Sequence, residues 1–211
     1  MRFELDHLFI LTEPAGTEAG LLQRYGLVEG EPNLHPGQGT ANRRFFFSNT
    51  MLELLWVCDE SEALSPPADR LHLVKRSKWR ENGASPFGIC LRPREAGSTE
   101  EPFPGWTYRP SYLSDALTIY VGDNSDRIIE PLVFYLDFAR RRLDHSQPSH
   151  LRHIEGIRLN GLPNRSAIFD TVTQAAAVQV SADQEPLLEI RFGSGAPTRD
   201  FRPNLPLILG P

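Results

Sequence analysis

The segment Met51-Leu52-Glu53-Leu54-Leu55-Trp56-Val57 constrains the fold most, because apolar residues fill both of its alternating sets of positions. Successive side chains of a strand point to opposite faces, so a strand of this kind needs cover on both sides. Its one polar residue, Glu53, is then a carboxylate set in an apolar layer. Burying an isolated carboxylate is costly unless it is paired, hydrogen-bonded or bound to a cation. Two readings stay open: an ion pair with Arg43 or Arg44 across a hairpin, or a ligand or catalytic role.

A second strand of the same kind, Phe3 to Leu11, carries one histidine, His7. Alternation puts Leu5, His7, Phe9 and Leu11 on one face, with Asp6, Leu8 and Ile10 on the other. A lone histidine on an apolar face is more often a satisfied core residue than a ligand. Brought near Glu53, it supplies half of a site for zinc, nickel, manganese or iron(II). Between the two strands lies His35-Pro36-Gly37-Gln38-Gly39-Thr40-Ala41-Asn42-Arg43-Arg44. Gly37 and Gly39 permit backbone geometries that other residues resist. The loop is either a wide turn stabilised by Asn42 or a substrate-binding loop.

The remaining pattern of this region predicts a helix over Thr17 to Tyr25 ending at Gly26, a strand over Arg43 to Ser48, and a Ser48-Asn49-Thr50 turn into Met51 to Cys58. The order is β-α-β-β-β. An acidic, proline-rich linker (Glu60 to Asp69) and a helix (Arg70 to Arg80) follow. Strands are expected over Ser85 to Arg92, Ala116 to Val121 and Glu130 to Phe138. The stretch Pro93 to Tyr112 holds Trp106, Tyr108 and Tyr112 and reads as an ordered loop laid over the surface or a cleft, suited to stacking on a flat ligand. In the last third, Leu151-Arg152-His153-Ile154 echoes Leu5-Asp6-His7-Leu8, and Leu188-Glu189-Ile190 echoes Leu52-Glu53-Leu54. A helix over Arg165 to Thr173 and a strand over Ala176 to Ser181 lie between them. The tail, Pro197 to Pro211, reads as extended chain along the surface.

The formal net charge of -5 argues against a nucleic-acid footprint. The run Arg140-Arg141-Arg142, followed by Asp144 and His145, reads as a solvated helix end or loop. No apolar stretch approaches the roughly 20 residues that span a bilayer. Cys58 and Cys90 sit in apolar runs and behave as small buried hydrophobes, so no disulfide framework is expected. The charged start, Met1-Arg2-Phe3-Glu4, gives the expectation of a cytoplasmic protein.

Three motifs in this order, Leu5-Asp6-His7, the His35 to Asn42 loop and Leu52-Glu53-Leu54, resemble the vicinal oxygen chelate superfamily and, within it, the glyoxalase-like domain family. The resemblance is specific over residues 3 to 58 and looser to about residue 150. It implies an α+β fold of paired βαβββ modules forming a cupped mixed sheet, here with a C-terminal β-α-β extension. The corresponding organisation is a first module over 1–59, a linker and helix over 60–84, a second module over 85–145, and the extension and tail over 146–211. An alternative starts the second module at His153 and ends it at Glu189. On the first assignment Phe87 stands where a histidine would, and Glu130 matches the acidic ligand. The resemblance then implies a divalent ion held by His7, Glu53 and Glu130, proton transfer by Glu53 and Glu130, and a small-molecule ligand met by His35, Asn42 and Arg43. It also implies a homodimer. The expected activity is isomerase or lyase chemistry on a small oxygenated molecule. Alternatives are a non-catalytic binding protein of bleomycin-resistance type, a ring-cleaving dioxygenase, and an interaction module in which His7 and Glu53 simply pair.

Overall fold

The computed structural model of the 211-residue chain describes residues 2–95, 100–141, 144, 146–162, 164–176, 178–183 and 185–211. Arg142 and His145, at the end of the basic run, lie outside these described residues. The first half contains β1 (Phe3–Leu11), α1 (Ala19–Tyr25), β2 (Asn33–His35), β3 (Thr40–Phe46) and β4 (Met51–Val57). Short helices α2 (Glu60–Ala63), α3 (Leu73–Ser77) and α4 (Trp79–Asn82) lead to β5 (Phe87–Pro93), β6 (Gly105–Tyr108), β7 (Ile119–Gly122) and β8 (Leu132–Tyr135). The remainder forms β9 (Gly156–Asn160), α5 (Ile168–Ala176), β10 (Val178–Val180), β11 (Leu187–Arg191), β12 (Arg199–Asp200) and β13 (Leu207–Gly210).

Strands β1 to β8 make one mixed sheet in the order β2-β3-β4-β1-β5-β8-β7-β6. The order reads the same outward from a seam between β1 and β5. On each side the seam strand pairs parallel with the last strand of its half, β1 with β4 and β5 with β8, while β1 and β5 run antiparallel. The cup is therefore closed within one chain. Both faces of its central strands are covered, as Met51 to Val57 demands. Leu52 and Leu54 join Leu8, Ile10, Ile89 and Val133 in a core on one side. Leu55 joins Phe9, Leu11, Leu73, Val121 and Leu132 on the other.

The second half has no helix between β5 and β6 among the described residues, and α5 from the C-terminal region packs on β1 and β5. Strands β9 to β13 form a separate five-stranded sheet, ordered β10-β9-β11-β13-β12, whose Leu159, Leu188 and Leu207 enter the same core as Leu8 and Ile10. The tail is thus no surface strap. Leu205, Leu207 and Leu209 alternate into the core, and β13 runs between β11 and β12. His153 stands outside the strands, its Nδ1 3.0 Å from Ser48 Oγ, so the echo of the first motif does not rebuild a second cup there.

Two further expectations change. The acidic stretch after Asp59 is not a linker throughout: Asp59 caps α2 by accepting from the Glu62 N–H. The expected helix over Arg70 to Arg80 is broken, with His72 in the left-handed region and Lys78 separating α3 from α4. The break goes with Arg76, whose guanidinium is fully buried and donates to the carbonyls of Ser125, Ile128 and Glu130. It ties α3 to the β7–β8 connection. Arg76→Met strips this donor from the Ser125 and Glu130 carbonyls, leaving Ile128 with the Ser85 N–H, and is expected to lower stability by about 2–4 kcal/mol. Urea unfolding reads this as a lower midpoint at unchanged slope; an unchanged midpoint would remove Arg76 as a tie.

Candidate active site in the cup

The site begins with a defect in strand pairing. Between Leu5 and His7 the β1–β5 register shifts, so that Leu5 faces Leu91 while His7 faces Cys90. Such a bulge places an extra residue on one strand and turns the side chains after it. Leu5 therefore joins Leu8 and Ile10 in the core, not His7 and Phe9, and the expected alternation holds only beyond the bulge. Asp6 and His7, adjacent in sequence, both line the cup. The Thr50 hydroxyl donates to the Asp6 carbonyl and secures the turn.

Asp6 Oδ2 lies 2.7 Å from His7 Nδ1, and Asp6 Oδ1 accepts from Arg92 at 2.8 Å. Arg92 is itself buried and also bonds Glu4. Burial pushes the Asp6 carboxyl up, but His7 and Arg92 more than offset it and hold it below the usual range. Burial likewise acts against a charged His7. The adjoining Cys90, the Glu53 charge and the Asp6 hydrogen bond outweigh it, and the His7 pKa stands well above that of a free histidine.

Glu53 is the second pillar. It is 8% exposed and lines the same cavity, beside Phe9 in the β1–β4 register. Among the described residues it has no hydrogen-bond or ion-pair partner. Neither arginine of the hairpin neutralises it by direct contact. Arg43 makes a two-pronged pair with Glu29 at 2.6 and 2.5 Å. Arg44, opposite Glu53 in the β3–β4 register, donates to the Glu31 and Pro32 carbonyls and lies over the Phe46 ring.

The end of β2 contributes His35, and the loop between β2 and β3 contributes Gln38. Gly37 and Gly39 both have positive φ, and their N–H groups donate to one Glu62 oxygen at 2.7 and 3.1 Å. A Cβ on Gly39 would overlap the Asp59 carbonyl, so glycine is required there. The turn swings Gln38 and His35 inward. His35 Nδ1 lies 2.9 Å from Thr40 Oγ1, and its ring meets Tyr112 at a centroid distance of 4.8 Å. Burial, with Arg44 and His7 nearby, lowers its pKa despite the Glu53 charge, so it stays neutral. The Tyr112 hydroxyl donates to Gln38 Oε1 at 3.3 Å and closes this wall.

Three residues chosen from the sequence fall elsewhere. Strand alternation turns Arg43 to the opposite face from Arg44, where Glu29 holds it. Asn42 sits within the hairpin, its Oδ1 accepting from the Asn33 N–H, and does not line the cavity. Glu130 precedes β8 and is buried in a separate network, accepting from Arg127, Ser166 and Asn124. The positions of β8 that do face the cup are apolar: Leu132, Phe134 and, just beyond, Leu136.

The result is a cavity of about 320 Å³ with unlike walls. His7, Glu53, His35 and Gln38 come from the first half, and Ile119, Val121, Leu132 and Phe134 from the second. The donors suit a divalent ion that displaces the proton His7 otherwise holds: imidazole and a carboxylate without a partner among the described residues are ordinary ligands of the borderline metals. They make a partial set, to be completed by water or substrate oxygens, because β8 adds none. A tighter group, Asp6, His7 and Cys90, has its ligand atoms within 4.8 Å of one another. Cys90 is fully buried and its thiol is pushed up to about 12, so it remains protonated behind the wall.

The sequence profile of a glyoxalase-like domain matches residues 5–157. The chain belongs to the glyoxalase-like domain family. Its curled mixed sheet fits the glyoxalase fold. Among solved structures, a hypothetical protein from Staphylococcus aureus is similar at a TM-score of 0.59 and 12% identity, over 99% of this chain and 98% of that one. A methylmalonyl-CoA epimerase from Streptomyces coelicolor, in complex with 2-nitronate-propionyl-CoA, is 14% identical over 66% of this chain and 100% of its own, at a TM-score of 0.45. The epimerase from Mycobacterium tuberculosis is 13% identical over 65% and 89%, at 0.40. No curated protein matches the sequence significantly. No helix among the described residues is long and apolar enough to cross a membrane.

Glu130 acts as a fastening between the β7–β8 connection and the segment leading to α5. Glu130→Gln is expected to lower stability by about 1–3 kcal/mol in urea unfolding and to leave divalent-ion binding unchanged by calorimetry. Loss of ion binding in a folded variant would return Glu130 to the site.

Proposed function

We propose that the chain is an enzyme of glyoxalase type, acting on a small molecule with neighbouring oxygens, in which His7 and Glu53 hold a divalent ion and Glu53 moves a proton. The observation that carries this reading is the buried Glu53 carboxylate, without a hydrogen-bond or ion-pair partner among the described residues, at the wall of a cavity it shares with an oriented histidine. A carboxylate in that setting has one of three fates: it takes a proton, a cation or a substrate group. Each is a step in proton transfer next to a carbonyl.

Zinc, nickel, manganese or iron(II) bound there would polarise a substrate oxygen and make the adjacent C–H more acidic. The chain's own residues do the rest. Asp6 fixes the His7 ring through Nδ1 and so directs its other nitrogen. Glu53 accepts the proton from carbon and returns it to the neighbouring carbon, as isomerisation requires. His35, Gln38 and Tyr112 hold the oxygenated end of the substrate, and the apolar half of the cup excludes water. All of these groups come from one chain, so the proposed site does not depend on the homodimer that the resemblance implies.

The one-sided donor set favours a second reading, a binding protein that sequesters its ligand in the same cup. A ring-cleaving dioxygenase gains less, because β5 and β8 place Cys90 and Phe134, not a histidine, beside His7. Elemental analysis and calorimetry distinguish the first two. The expected result is one divalent ion per chain, bound about 10- to 100-fold more weakly, or not at all, by His7→Ala and Glu53→Gln. The loaded protein is expected to exchange the proton beside the carbonyl of an α-hydroxyketone in deuterated water, followed by NMR. Glu53→Gln is expected to slow that exchange by about 10²- to 10⁴-fold. Neither metal uptake nor exchange in the native protein would leave the sequestering reading.

A further inference from the structure

Several buried polar side-chain atoms have no hydrogen-bond partner among the described residues. One of these residues, Tyr108, lines the cup: it is 1% exposed, and its hydroxyl has no partner. The ring is well held. It lies in the core with Phe9 and Leu11, meets Trp106 edge-on at 6.1 Å, and sits on β6 opposite Ile119. Trp106 is in turn fixed by a hydrogen bond to Ser125 and by Arg70 over its face. An orphaned buried hydroxyl destabilises a folded chain, and a phenylalanine would fill the same space without that cost. A rigid donor kept in such a place points to something outside the chain that it bonds.

The direction of that partner is given by the neighbours. Tyr108 lines the same cavity as Tyr112, Gln38 and Glu53, so the cup is where a partner for its hydroxyl can enter. Burial holds the Tyr108 hydroxyl itself at about 12, protonated and able to donate throughout the physiological range. Beyond this polar end the cavity is apolar, with Leu71, Leu73, Ile119, Val121, Leu132 and Phe134 around it. A space of about 320 Å³ accepts a single ring with a short side chain, not a nucleotide.

We propose that the cup takes a molecule with a compact hydrophobic body and an oxygenated head, and that the Tyr108 hydroxyl donates a hydrogen bond to a head oxygen. The proposal rests on the reading of this cavity as the substrate site and names the class of substrate it admits. Tyr108 is on this account a residue that selects for oxygen and stabilises charge developing on it. The walls of β7 and β8 select for the body.

The test uses the full chain, native and Tyr108→Phe, with three probes: 2-oxo-2-phenylethanol, ethylbenzene (no oxygen) and hydroxyacetone (no ring). Calorimetry is expected to show 2-oxo-2-phenylethanol binding to the native chain at least about 10-fold more tightly than either partial probe. Tyr108→Phe is expected to bind it about 10- to 100-fold more weakly. Without ligand the variant is expected to melt no lower than the native chain. A purely structural tyrosine gives the reverse pattern, a lower melting temperature with unchanged affinity, and overturns the assignment. Absence of binding to the native chain, or equal binding of hydroxyacetone, overturns the substrate class. Metal uptake in the same samples reports on His7 and Glu53 alone, so its absence sinks the metal reading without touching this one.

Discussion

The seam between β1 and β5 is where two half-cups become one, and it is apolar except around Arg92. That guanidinium is buried and holds Glu4 and Asp6 on the neighbouring strand, with the Asn49 carbonyl completing its set. Asp6 then holds His7. Closure of the sheet and orientation of the His7 imidazole thus pass through one carboxylate. A buried ion pair of this kind contributes little net stability against an apolar substitute, and breaking it by removing one partner costs much more. Its value here is geometric: the charged pair bridges β1 and β5 at the bulge between Leu5 and His7.

Much of the frame was legible in the sequence because it rests on local periodicity. Both-sided burial of Met51 to Val57 followed from alternation, and Gly26 ends α1 in the left-handed conformation expected at a helix C-terminus. What escaped depends on contacts distant in sequence. The break at His72 and Lys78 answers to a buried Arg76 whose acceptors lie some fifty positions on. The tail looked like surface chain because prolines punctuate it, whereas Leu205, Leu207 and Leu209 were already alternating as a strand requires.

The site divides along the same line. His7, Glu53 and His35 were found because a polar residue in an apolar strand, or in a glycine-shaped loop, stands out against its surroundings. Arg43 was chosen where Arg44 faces the cavity; β3 begins at Thr40, and its parity, with Glu29 waiting on the far side, decides between them. Glu130 resembled a strand residue but precedes β8, outside the pleat. Asp6 was assigned to the wrong face because no local pattern announces a bulge. Tyr108 and Tyr112 were expected in a loop over the surface or a cleft, suited to stacking on a flat ligand; that the Tyr108 hydroxyl has no partner among the described residues depends on burial, which no local pattern announces.

The charged groups that line the cup come from the β1 to β4 half, while β7 and β8 give it plain wall. Ile119, Val121, Leu132 and Leu136 make no ion pair and no side-chain hydrogen bond, so exchanging them among aliphatic residues reshapes the chamber a methyl group at a time. A cavity of this kind keeps the groups that can bind a cation or move a proton apart from the groups that shape what fits. What the cup accepts can thus change by substitution on β7 and β8 while His7 and Glu53 stay untouched.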